Sequence, residues 1–351
     1  MVRQRNGEIA DVVVFREPHQ RLLHLDLAVP HIRWSGVLFF IDRDECSRYS
    51  AAMEHTPRKT VLVTGGAGFI GSYLCERLVK AGHQVISLDN YFTGTTENHV
   101  AGVDYRVGHT KELAKLISER PDIIYHLGEY ARVGKSLEEP ELVWDLNMDG
   151  TFAVLEYWRK HNCKLVYSAS STKSVGARAD GTLGRDLSPY TWAKAAMSDL
   201  VNNYARWYNL PYVIVYYYNV YGPRERDAKN YGTFIETCRQ HFLKGEPQQV
   251  RSPGTQTRAF THIDDTINGI ILAAEKGEGD GYGLASTDEH SLLEVAQMFG
   301  GQIEMLTQTK STREQSVIDA EKIKALGWKQ TKTLKEYIEA VKTQASSSKS
   351  V

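Results

Sequence analysis

The sequence lacks a charge imbalance of either sign. Its 42 lysines and arginines meet 43 aspartates and glutamates, a formal net charge of -1 over 351 residues. A chain that holds nucleic acid by its phosphates needs a basic surplus, so nothing global points to that class of partner. Cysteine is scarce as well. Cys46, Cys75, Cys163 and Cys238 are scattered, with neither metal-like nor paired spacing. They read as reduced thiols of a cytoplasmic protein. The 12 histidines show no metal-ligand spacing, so no metal is expected. Long apolar runs are missing too. The longest near the start, Trp34 to Ile41, is too short to span a bilayer and lacks the basic start and small-residue cleavage site of a secretory signal. No internal repeat is visible.

What is present is 42% apolar residues, enough for a sizeable core in one large α/β domain and a smaller one. Residues 1–56 mix arginine, histidine and acids without clear period. They read as an N-terminal extension, disordered or non-native, with the functional chain beginning near Met53; the competing reading is an arm that docks on a partner subunit. From Arg58 strand-like runs recur at Thr60–Thr64, Gln84–Leu88, Asp104–Val107, Asp122–His126, Lys164–Ser168 and Tyr212–Tyr218. Helical patterns fill the intervals, notably Gly71–Ala81, Leu142–Lys160 and Tyr190–Trp207. Nearly all-apolar strands alternating with helices predict a parallel sheet covered on both faces. After Pro223 the pattern is mixed, with a late helix around Leu334–Thr343 and a Ser- and Lys-rich tail, 345–351, expected to be frayed.

Two motifs carry chemistry. Gly65, Gly68 and Gly71 follow the first strand and open the first helix. This spacing permits a tight turn, close backbone approach to a pyrophosphate, and close packing of helix on strand. Asp89 ends the second strand, where a carboxylate accepts both ribose hydroxyls of an adenosine. It repels a 2′-phosphate, and no arginine stands beside it, so NAD is favoured over NADP. Further along, Tyr190 and Lys194 lie one helical turn apart. A phenol with pKa near 10 is a poor base at neutral pH. The lysine charge, with that of an oxidised nicotinamide, stabilises the phenolate.

From about Lys59 to Trp328 the chain resembles the extended short-chain dehydrogenase/reductase family, in its nucleotide-sugar epimerase and dehydratase branch. The residues that carry the resemblance are the glycine turn, Leu88-Asp89-Asn90-Tyr91-Phe92-Thr93-Gly94, His126-Leu127-Gly128, Ser136, Pro140, Asn147-Met148-Asp149-Gly150-Thr151, Tyr218-Asn219-Val220-Tyr221-Gly222-Pro223-Arg224 and Thr257-Arg258-Ala259-Phe260-Thr261-His262-Ile263-Asp264-Asp265. The resemblance implies a Rossmann doubly wound parallel sheet, residues 57–225, with a smaller mixed α/β substrate domain over 226–344 that sends segments back to the first. It implies bound NAD held by Gly65, Gly68, Phe69, Ile70, Gly71, Asp89, Asn90, Leu127, Tyr190 and Lys194. Catalysis would fall to Tyr190, Lys194 and Ser170, with Ser171 and Thr172 as alternative hydroxyls. Asn219, Arg258, Arg313 (or Lys310) and Ser316 would meet a nucleotide diphosphate sugar. A small residue at Ser316 implies room for an acetamido group, so the sugar is expected to be a UDP-hexose or a UDP-N-acetylhexosamine.

Several positions depart from the family pattern. Gly108-His109 replaces Gly-Asp after the third strand, Glu129 stands where a small residue is usual, and Tyr216 replaces an arginine. The serine turn lacks the carboxylate that dehydratases and decarboxylases carry after the catalytic hydroxyl, unless Glu129 replaces it. The expected activity is therefore 4-epimerisation through a transient 4-ketosugar. A dehydratase or a 4-ketosugar reductase of the same fold competes with it, and so does a non-catalytic NAD-sensing regulator. A homodimer through the helices Leu142–Lys160 and Tyr190–Trp207 is expected, because both carry large apolar residues on more than one face.

Overall fold

Apolar runs separated by amphipathic ones become parallel strands joined by helices. The computed structural model describes residues 57–170, 184–225, 231–307 and 319–348. The extension 1–56, Ser171, Thr172, Lys310, Arg313 and Ser316 lie outside the described residues. The chain divides into the units Met1–Arg58 and Lys59–Val351, and all described secondary structure belongs to the second.

Strands β1 (Thr60–Thr64), β2 (Gln84–Asp89), β3 (Val103–Val107), β4 (Ile123–His126), β5 (Lys164–Ser170), β6 (Tyr212–Tyr217) and β7 (Gly279–Leu284) form one sheet in the order β7-β6-β5-β4-β1-β2-β3. Every pairing in it is parallel. Strand order reverses between β1 and β4, so the carboxyl ends of these two diverge into a crevice where such sheets bind ligands. Val61, Leu62, Val63, Ile124, Leu165 and Val213 to Val215 are fully buried in the sheet, which accounts for their unbroken apolar runs.

Helix α1 (Phe69–Lys80) leaves the glycine turn, α2 is Gly150–His161 and α3 is Pro189–Tyr208. The expected continuous helix over Leu142–Lys160 is instead a short α-helix, Pro140–Val143, a π-helical stretch, Trp144–Asp149, and then α2. The wider turn places Asn147 against the chain after β4: its Oδ1 accepts from Tyr130 N at 2.6 Å and its Nδ2 donates to Tyr130 O at 3.0 Å. Such π segments concentrate at functional sites.

A second core gathers Ile235, Phe260, Val295, Phe299, Leu334 and Ile338 from helices Phe234–Lys244, Leu292–Phe299 and Leu334–Ser348 and the segments between them. Helix Ile263–Lys276 packs instead into the core of the main sheet, through Ile267 and Ile270. The late helix continues to Ser348, well into the stretch expected to be frayed.

Candidate active site

The crevice beyond β1 and β4 opens into a cavity of about 510 Å3. Gly65, Gly68, Phe69, Ile70, Gly71, Asp89, Asn90 and Leu127 all line it. Gly65 turns the chain with φ 75°, and Gly68 caps α1 without a side chain. A Cβ on Gly71 would stand 2.0 Å from Gly65 O, so the backbone of the turn closes on itself only because glycine occupies that position. Asp89, at the end of β2, accepts from Ala67 N at 2.9 Å and Tyr91 N at 2.8 Å. Burial pushes its carboxyl upward while these two amides act against the shift. A buried carboxylate on a cavity wall, with a glycine cradle one strand away, fits the ribose hydroxyls and pyrophosphate of NAD. Asp89→Ala should weaken NAD binding tenfold or more by calorimetry, since hydrogen bonds to a charged group contribute about 1.5–3 kcal/mol. An unchanged affinity would remove Asp89 from the site.

His109, which replaces an acid, turns its ring to Asp145 at 3.1 Å, leaving Gly108 and Thr110 on the wall.

Tyr190 and Lys194 are placed by the start of α3. Ser188 caps it reciprocally: its Oγ accepts from Thr191 N at 3.3 Å while Thr191 Oγ1 accepts from Ser188 N at 2.9 Å, and Pro189 holds the first helical position. Tyr190 and Lys194 then face the cavity together with Ser168 and Ser170 from the end of β5. Lys194 is 4% exposed and its ion-pair partner Glu129 is 3% exposed. The ammonium donates to Glu129 Oε2 and to Ser168 O, and lies 3.3 Å from Tyr167 Oη. Burial lowers the Lys194 pKa and the Glu129 charge opposes the shift. Removing one member of such a buried pair costs about 3–5 kcal/mol, because the other is left uncompensated.

Glu129 closes a polar chain that begins under the glycine turn. Thr64 Oγ1 is 2.7 Å from His126 Nδ1, His126 Nε2 is 2.9 Å from Thr151 Oγ1, and Thr151 donates to Glu129 Oε1 at 3.1 Å. Tyr167 Oη donates to the same oxygen at 3.1 Å. His126 is fully buried and pushed down to about 4, so it is neutral at physiological pH. With three donors on its carboxyl oxygens, Glu129 is engaged as an acceptor.

On the opposite wall Asn219 has φ 38° and donates its Nδ2 to Ala259 O at 2.8 Å. Tyr216 bonds Asp280 of β7 at 2.7 Å and ties the edge of the sheet. Glu225, which sequence reasoning passed over, lines the cavity and accepts from Thr233 N at 2.9 Å and Oγ1 at 3.0 Å. Burial pushes its carboxyl up to about 7. Arg132 also lines the cavity, held by Tyr231 O and by Ala131 O at 2.9 Å. Arg258 is not among the lining residues. It lies on strand Thr257–Ala259, with Nη1 donating to Thr257 O at 2.7 Å. Tyr167, Arg132 and Glu225 belong to no motif of the sequence, and tertiary contacts alone bring them to the site.

The sequence profile of the NAD dependent epimerase/dehydratase family matches residues 61–285. A UDP-N-acetyl-alpha-D-glucosaminuronate decarboxylase of Bacillus cytotoxicus is 32% identical over 256 residues, 68% of this chain and 79% of that protein. A putative UDP-glucose 4-epimerase of Methanocaldococcus jannaschii is 29% identical over 299 residues, 80% of this chain and 96% of that protein. The crystal structure of the UDP-glucose 4-epimerase of Thermus thermophilus in complex with NAD superposes with TM-score 0.74 at 27% identity, covering 82% of this chain and 99% of that one. With its seven-stranded parallel sheet and its glycine cradle, the chain belongs to the NAD dependent epimerase/dehydratase family, and NAD is its cofactor.

Proposed function

We propose that the protein is an NAD-dependent nucleotide-sugar 4-epimerase acting on a UDP-hexose or UDP-N-acetylhexosamine. Bound NAD supplies a hydride acceptor that returns what it takes. The Tyr190 phenolate removes the proton of the C4 hydroxyl as that carbon is oxidised and gives it back when the carbon is reduced from the other face. Ser170 orients the reacting oxygen, Lys194 supplies a positive charge that Glu129 partly offsets, and Asn219 holds the nucleotide sugar. The observation that carries this reading is the engagement of Glu129 by Thr151, Tyr167 and Lys194. Elimination of a 6-hydroxyl needs a carboxylic acid beside the base, and the carboxyl group paired with Lys194 is occupied as an acceptor. Epimerisation needs only the base and the return of hydride.

One observation favours a second reading. Burial pushes Glu225 up to about 7 on the wall of the same cavity, toward the range suited to the general acid that a dehydratase requires. A panel of UDP-, GDP-, CDP- and dTDP-sugars followed by NMR separates the two. Accumulation of the C4 epimer of a UDP-sugar with no net NAD reduction supports the epimerase. A 4-keto-6-deoxy or decarboxylated product, or no turnover of any sugar, overturns it.

The protein is further proposed to form a homodimer through α3 and the helical stretch that covers Leu142–Lys160. Leu146, Leu155, Tyr157, Trp158 and Tyr204 are buried within the subunit. Trp144 (53% exposed), Phe152 (50%) and Trp192 (41%) remain on the surface of these helices, and the Trp144 and Trp192 rings stack at 6.3 Å. Light scattering at micromolar concentration should give twice the chain mass, and Trp192→Asp should shift it toward the monomer. A wild-type monomer refutes the assembly.

A further inference from the structure

We propose that Glu129 is a positioning residue that holds Lys194 and sets the charge against which Tyr190 ionises. The inference rests on the reading of Tyr190 as the base.

An ammonium has three N–H donors. Those of Lys194 meet Glu129 Oε2, Ser168 O and Tyr167 Oη, and the Nζ also lies 4.5 Å from the Tyr167 ring centroid. The side chain is therefore held by protein groups from three directions. Glu129 is itself fixed, by Thr151 from α2 and Tyr167 from β5.

The groups facing this pair come from each element packed on it. His126 of β4 is neutral, pushed down to about 4. Tyr167 of β5 and Tyr217 of β6 are raised well above the ordinary phenol by burial, with Glu129 adding to both shifts, so both are neutral. The Tyr130 ring lies 6.4 Å from that of Tyr190, and its hydroxyl donates to Glu139 at 2.8 Å. At the centre of this cluster Lys194 and Glu129 face each other as a buried ion pair, so each offsets the other's charge. A lysine whose charge is cancelled stabilises a neighbouring phenolate less than a lone one does. The phenolate of Tyr190 then draws more on the positive charge of the oxidised nicotinamide than on Lys194. Glu129 thereby couples the appearance of the base to the presence of the oxidised cofactor.

The test uses the full chain with Glu129→Gln, Glu129→Asp and Tyr190→Phe. In Glu129→Gln the acid limb of the kcat/KM profile should move down by about one pH unit over the range in which Lys194 keeps its proton. In the cofactor-free protein, the tyrosine resonance absent from Tyr190→Phe should titrate lower by the same amount in 13C NMR. Glu129→Asp keeps the charge, so its limb should stay within about 0.3 unit of wild type while kcat falls. An acid limb that stays in place in Glu129→Gln, with activity lowered equally at every pH, overturns the proposal and leaves a structural role. Should Glu129→Gln fail to fold, movement of the limb in Glu129→Asp overturns it. Full activity in Tyr190→Phe is a different failure: it removes the base on which the inference rests.

Discussion

Tyr190→Phe should lower kcat by three orders of magnitude or more, roughly 4 kcal/mol in the barrier, while NAD and nucleotide-sugar affinity change less than threefold. The substitution removes one oxygen. The Ser188–Thr191 cap, Pro189 at the first helical position and the contact of the Tyr190 and Tyr130 rings are untouched, so α3 stays where it is. Only the atom proposed to accept the sugar proton is lost. General-base catalysis contributes about 10²–10⁴-fold in typical enzymes, and here hydride removal from an alcohol that keeps its proton is slower still. Steady-state kinetics with the sugar identified by the panel, beside calorimetric titration of NAD, read both quantities. Activity within tenfold of wild type would mean that another group takes the proton.

Gly71→Ala should abolish tight NAD binding and destabilise the protein by about 2 kcal/mol or more, in the range of overpacking a closed site. The new methyl would lie 2.0 Å from Gly65 O and 2.8 Å from the Gly66 Cα, both backbone atoms without a rotamer to adopt. Either α1 retreats from the sheet or the turn opens, and both changes displace the amides offered to a pyrophosphate. Gly82 is an internal comparison, because a Cβ there meets nothing within 4 Å and its cost comes only from φ 84°. Thermal unfolding and retained NAD after gel filtration give the readings. A Gly71→Ala protein that keeps both its melting temperature and its cofactor would contradict the close approach in the turn.

Much of the cofactor half was legible along the chain, because its determinants are local. β1 and the end of β2 at Asp89 fall where apolar runs stop at a glycine turn and at a polar residue. Gly68 and Gly71 are needed by backbone contacts with Gly65 and Gly66 within the same turn, whereas a Cβ on Gly65 would meet Gly128, after β4, at 2.9 Å. Tyr190 and Lys194 share a face because a helix has 3.6 residues per turn, and the Ser188-Pro189 start of that helix is written in its cap. The seventh strand was not legible. It stands among none of the strand-like runs and carries Gly279, Gly281 and Gly283, yet β7 pairs with β6 through a register shift, and Gly283 is where Asp319 O would meet a Cβ at 1.7 Å. Its strand character comes from the neighbour it joins. The break of the Leu142–Lys160 helix into a π-helical turn was equally hidden, since Asn147 and Tyr130 bond each other from different elements.

At the site the division has the same cause. Sequence alone located the glycine turn, the acid at the end of β2 and the Tyr–Lys pair, each marked by its place in one turn, one strand end or one helix. Only the tertiary structure decided what Lys194 touches, that Glu129 is an engaged carboxylate, that Arg132 and Glu225 face the cavity, and that Arg258 stands outside its lining. Those outcomes depend on β4, β5, α2 and α3 converging from positions 65 residues apart in the case of Glu129 and Lys194. A pattern read along one segment carries the periodicity of that segment, whereas the charge that neutralises a buried lysine comes from wherever the sheet brings the next strand.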